Sequence, residues 1–226
     1  MTPPRTRGWW RDHDYTRRSV LRDIEGFIGW GALTDLVESA ESELEKAFLS
    51  TAFLTGGRVS EVLGLTRDMF DVDREGGVAV VRNMPRLKVF KKIGELPDGS
   101  WETESLDAVR RPFPLIIQEP LMPYLLGWLE RAGSGYLFPS PRRLGRPLSR
   151  AWGYKTVVRV GERAGLDIWP HWLRSQRASQ LAADYNLQVL DLVDYFTWQK
   201  ADMALHYSRR GWAGLLARMR PLSLYV

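Results

Sequence analysis

The chemical reading starts from two basic side chains, His171 and Arg174, in "WPHWLRSQRAS", just after a proline where a helix should begin. Set one helical turn apart, they share a face and can both reach one anion. A second arginine, Arg58, stands at the expected start of another helix in "TGGRVSEVLGL", with Glu61 one turn on. Between them lies a lysine-bearing stretch, "RLKVFKK", with Arg86, Lys88, Lys91 and Lys92. The last feature is "FTWQKADMALHYSRR", where Trp198 is followed nine positions later by Tyr207. Guanidinium groups grip phosphate as a planar fork, so paired arginines beside a histidine suit an oxyanion.

Composition narrows the class. The chain has 226 residues and a formal charge of +5, and 26 of its 32 basic residues are arginine. Arginine-rich basic proteins lean toward nucleic acid. There are no cysteines, which excludes disulfides, thiolate zinc sites and cysteine nucleophiles. Three scattered histidines speak against a histidine-based metal centre as well. No apolar run approaches a membrane span, and the N-terminus lacks an apolar signal core. These features lead us to expect a soluble, intracellular protein with no membrane partner.

These residues need elements to position them. Residues 42 to 55, "SELEKAFLSTAFLT", carry Leu44, Phe48, Ala52 and Leu54 at roughly helical spacing, which predicts a helix that "TGG" breaks. A new helix should start near Arg58 and bury Val59, Val62, Leu63 and Leu65. "GGVAVVRNM" reads as a strand, with "RLKVFKK" continuing or turning from it. "RRPFPLII" reads as an edge strand because of Pro112 and Pro114. The polar "IGELPDGSWETES" between them reads as a loop or long hairpin tip. Helices are expected over about 119 to 132, 149 to 164, 171 to 184, 187 to 196, 200 to 207 and 212 to 219. The layout is mostly α with a small antiparallel β-sheet, an α+β class.

The four chemical features, in this order and spacing, resemble the catalytic domain of the tyrosine recombinase (phage-type integrase) family. That family's pattern is "TGxRxSEhhxL", where h is apolar, then a hairpin lysine, "HxLR", a His or Trp, and a tyrosine nine residues later. "TGGRVSEVLGL" and "HWLR" match almost letter for letter, and the likeness covers about residues 40 to 215. The resemblance implies a fold, a double-stranded DNA partner, and strand cleavage and rejoining through a 3′-phosphotyrosine ester without metal or ATP. It implies that Arg58 and Arg174 fork the scissile phosphate, and that His171 hydrogen-bonds it and stands ready to take the tyrosine proton. Trp198 would hold the phosphate or pack the site, Tyr207 would attack, and Glu61 would support Arg58 or His171 from behind. Lys88 is the best match for the lysine that protonates the leaving 5′ oxygen, with Lys91 and Lys92 as alternatives. Arg86, Lys91, Lys92 and the run Arg142, Arg143, Arg146 and Arg150 are candidate DNA contacts.

The resemblance further implies a homo-oligomer, a tetramer on paired DNA sites. It also implies a cytoplasmic setting, nucleoid-associated or encoded by a virus or plasmid of a prokaryotic host. Residues 1 to 22 read as a basic arm with Trp9 and Trp10, and residues 23 to 226 as the catalytic domain with a C-terminal tail helix. A separate N-terminal core-binding domain is not evident. Two other readings use the same residues: relaxation of DNA in the manner of type IB topoisomerases, and DNA binding without catalysis.

Overall fold

The computed structural model describes residues 28–86, 89–95, 97, 101–106, 109–198, 201 and 204. The expected basic arm, Lys88, Tyr207 and the expected tail helix lie outside these residues.

The domain is built around one helix. α1 (Trp30–Glu38) leads into α2 (Glu43–Thr55). The Ser42 side chain caps α2 by accepting the Glu45 N–H, leaving one fewer orphan donor at the helix start. From Ala47 to Thr55 every side chain of α2 is buried, so this helix is wrapped on all sides instead of showing one apolar stripe. α1, α4 (Met122–Arg131), α5 (Arg150–Arg163) and α6 (Pro170–Asp184) pack against it. Phe48 meets Phe138 and Trp152 edge-on, at 5.6 and 5.0 Å between ring centroids.

The short α3 (Val59–Leu63) follows α2 and, as expected, buries Val59, Val62 and Leu63, with Leu65 just beyond. Then comes a three-stranded antiparallel sheet in the order β1 (Phe70–Asp73), β2 (Val78–Arg86), β5 (Val109–Ile116). Ala79 and Val81 on β2, and Phe113 and Leu115 on β5, face the core, whereas Pro112 and Pro114 on β5 face out. β5 is an edge strand, the place where proline's missing N–H is tolerated. A second, two-stranded sheet pairs β3 (Val89–Glu95) with β4 (Trp101–Leu106), Lys91 opposite Glu104 and Lys92 opposite Thr103. The polar stretch expected as a loop or long hairpin tip thus contributes a strand, paired antiparallel with β3 along one edge. α7 (Val189–Phe196) packs on α6. There Ala178, Leu181, Leu192, Phe196 and Trp198 form a small apolar cluster separate from the main core. Among the described residues no helix is long and apolar enough to cross a membrane.

Candidate active site

Gly56 ends α2 in the left-handed region, at φ +54°, which glycine enters without Cβ strain. A Cβ there would also lie 2.3 Å from the Phe196 ring, so the turn and the close approach both demand glycine. The chain leaves this turn extended and makes Arg58 the N-cap of α3. Glu61, fully buried in the first turn, takes the Arg58 backbone N–H on Oε2 at 2.8 Å and its Nη1 on Oε1 at 2.6 Å. One carboxylate therefore fixes both ends of Arg58, while the arginine side chain remains 42% exposed.

α6 begins with Trp169 as N-cap and Pro170 in its first turn, where a missing N–H costs nothing. His171 follows, exposed, and Arg174 comes one turn later, 1% exposed. Arg174 Nη1 donates to the Gly56 carbonyl at 2.5 Å and Nη2 to the Phe196 carbonyl at 3.1 Å. Its guanidinium carbon lies 4.6 Å from the Phe196 ring centroid and 5.6 Å from that of Trp198. Those two rings stack on each other at 4.6 Å, so Trp198 is part of the platform beneath the guanidinium.

Three helix starts then meet around one cleft of about 350 Å³. α3 contributes Arg58 and Ser60, α5 contributes Arg150 and Tyr154, and α6 contributes His171 and Arg174. Among the described residues no carboxylate lines the cleft. Three guanidinium groups and an imidazole around one opening make a site for an anion with several oxygens. Among the described residues there is no group of histidine, cysteine, aspartate or glutamate able to hold a metal ion.

The remaining candidates fall elsewhere. Glu61 and Trp198 lie beneath the cleft. Arg142, Arg143 and Arg146 sit exposed on the loop before α5, away from the cleft lining. Arg86 ends β2, and Lys91 and Lys92 lie on β3. Sequence reasoning placed Arg150 among backbone contacts but did not put it in the cleft, and it missed Tyr154 altogether. It also missed Arg177, 2% exposed, which donates from Nη1 to buried Glu119 at 2.7 Å. Three other tyrosines of the C-terminal third, Tyr185, Tyr195 and Tyr225, rival Tyr207 in the sequence; Tyr225 lies outside the described residues, Tyr185 donates to Glu119 at 2.6 Å and Tyr195 to the Leu54 carbonyl at 2.8 Å. Burial first, and then that Glu119 carboxylate, push the Tyr185 phenol above its ordinary range.

The sequence model of the Phage integrase family matches residues 32–210. The chain belongs to this family. Solved structures of integrase-type recombinases share the fold. A XerA recombinase is 19% identical with a TM-score of 0.59, the match covering 86% of this chain and 64% of that one. A XerH site-specific recombinase, in a post-cleavage complex with a palindromic difH substrate, is 16% identical with a TM-score of 0.60, covering 86% and 52%. A lambda integrase fragment, a dimer bound to a COC′ core site, is 19% identical with a TM-score of 0.53, covering 80% and 58%. The chain thus spans between about half and two thirds of these structures' length. No curated protein sequence matches it significantly. The mostly helical domain with its small antiparallel sheet is the catalytic-domain fold of these integrase-family enzymes.

Proposed function

We propose that this integrase-family chain cuts and rejoins double-stranded DNA in the cleft between α3, α5 and α6. The observation that carries the reading is the convergence of Arg58, His171 and Arg174, from distant stretches of sequence, on one cleft whose lining, among the described residues, holds no carboxylate. In this reading the scissile phosphate lies between the two guanidinium groups, which neutralise charge on its non-bridging oxygens as it becomes five-coordinate. Arg58 is steadied from below by Glu61, and Arg174 by two carbonyls. Tyr207 attacks phosphorus, the bond to the 5′ oxygen breaks, and a 3′-phosphotyrosine ester holds the strand. The phenolic proton passes to His171, and Lys88, or else Lys91 or Lys92, gives a proton to the departing 5′ oxygen. Because the ester keeps the energy of the broken bond, rejoining needs neither metal nor ATP.

Around this centre, Arg150 in the cleft and the exposed Arg142, Arg143 and Arg146 contact backbone phosphates, as do Arg86, Lys91 and Lys92 from the strands. Residues 1–22 act as a basic arm beside the domain, and the chain works as a tetramer on paired DNA sites in a prokaryotic cytoplasm.

The test is single-turnover cleavage of a suicide DNA duplex by Arg58→Ala and Arg174→Ala proteins. Each should cleave roughly 10²- to 10³-fold more slowly, with a much smaller change in DNA affinity. A loss confined to affinity would make both arginines clamps on the backbone and remove this cleft as the reaction centre.

A further inference from the structure

Arg174 is aimed by two carbonyls, and both are tied to a single phenol. Tyr195 immediately precedes Phe196, the acceptor for Arg174 Nη2. Its hydroxyl donates at 2.8 Å to Leu54, two residues before Gly56, the acceptor for Arg174 Nη1. The same oxygen accepts Arg177 Nε at 3.2 Å. Arg177 lies one helical turn beyond Arg174 on α6. Its Nη1 is held by Glu119 at 2.7 Å and by Gln180 at 2.8 Å. The Tyr195 ring is wedged edge-on between Phe113 and Phe196, at 4.5 and 4.8 Å. One hydroxyl therefore joins the end of α2, the end of α7 and the middle of α6, the three segments that fix the Arg174 guanidinium.

We propose that Tyr195, locked by Arg177, is a positioning residue that sets the aim of Arg174 into the cleft. The proposal rests on the cleavage reading for its kinetic test. Two features favour positioning over plain stability. Among the described residues buried Glu119 Oε2 and Gln180 Nε2 find no hydrogen-bond partner, so the network is not the one that maximises stability. A buried ion pair also gains little over an apolar replacement, whereas its directional bonds specify one arrangement. The Arg177 charge is secure: burial alone would lower its pKa, but the oxygens of Tyr195 and Glu119 outweigh that and raise it.

Tyr195→Phe keeps the ring and removes only the hydroxyl. On suicide DNA we expect single-turnover cleavage to fall about tenfold or more, as misplacement of a positioning group does, with DNA affinity unchanged. The adduct that still forms should map to Tyr207. In an Arg174→Lys background, Tyr195→Phe should add less than about a twofold further loss, because both changes act through one group. A readout independent of cleavage is phenylglyoxal labelling of Arg174, followed by peptide mass spectrometry, which should be faster in Tyr195→Phe than in the unaltered protein. Arg177→Lys, which keeps the charge near Glu119 but loses the Nε bond, should behave likewise and serves if Tyr195→Phe does not fold. Normal cleavage with unchanged labelling, or a full independent loss in the Arg174→Lys background, overturns the proposal, as does an adduct mapped to Tyr195 in the unaltered protein, which would make Tyr195 the nucleophile. If the unaltered protein does not cleave DNA, the recombinase reading falls, and faster Arg174 labelling in the variants still supports the positioning role while unchanged labelling overturns it.

Discussion

Glu61 holds Arg58 at both ends, by the backbone N–H at 2.8 Å and by the guanidinium at 2.6 Å. The carboxylate is fully buried and the arginine reaches out from it. The pair makes a distinction that can be tested. Arg58→Ala should lower stability as well as cleavage, because the buried carboxylate loses its guanidinium hydrogen bond, and bonds to charged groups contribute about 1.5–3 kcal/mol. Arg58→Ala combined with Glu61→Leu should recover part of that stability in denaturant titrations and none of the cleavage. Recovery of both would place Arg58 outside the reaction.

Gly56 should not accept a side chain. Gly56→Ala adds about 1–2 kcal/mol of left-handed backbone strain. Pushing the Phe196 ring away from the new Cβ adds about 1–3 kcal/mol. Because the Gly56 and Phe196 carbonyls both aim Arg174, the folded fraction should also cleave DNA more slowly at unchanged affinity. Thermal melts together with active-site titration separate the two effects, and a protein that is less stable but fully active per folded molecule would contradict the second.

Much of this site could be read in the sequence, and the reasons differ by element. Helix α2 and the Arg58 turn were legible because Ser42, Gly56 and Gly57 punctuate them locally. α1 was not, since its N-cap Gly29 offers no capping side chain. The stretch that holds β4 reads from sequence as a loop or long hairpin tip because it is polar, and what makes "WETESL" a strand is its antiparallel register against β3. Arg58, His171 and Arg174 stood out by motif, and the fold brings them together. Arg177 did not, because nothing in "HWLRSQR" separates a buried arginine from a solvated one. Its partner Glu119 is distant in sequence, on the turn after β5, and only the fold joins them. Tyr154 shares a helix face with Arg150, but that the face meets the cleft is a matter of how α5 packs against α3 and α6.

The Tyr185–Glu119 contact should show in alkaline unfolding. The unfolded phenol titrates near 10.0, and the folded one higher. A group with a raised folded pKa contributes fully below its unfolded value and loses that contribution as pH climbs through the folded one. Stability should therefore drop with pH above about 10 more steeply in the unaltered protein than in Tyr185→Phe. Denaturant midpoints measured between about pH 8 and pH 12 give the two slopes, and parallel curves would contradict the contact.

The most direct measurement is to trap the protein on a suicide DNA duplex, digest the complex and map the residue that carries the nucleotide. The account predicts one adduct, a 3′-phosphotyrosine on Tyr207, abolished in Tyr207→Phe while DNA binding persists. An adduct on Tyr154, Tyr185, Tyr195 or Tyr225, or one that survives in Tyr207→Phe, would contradict it.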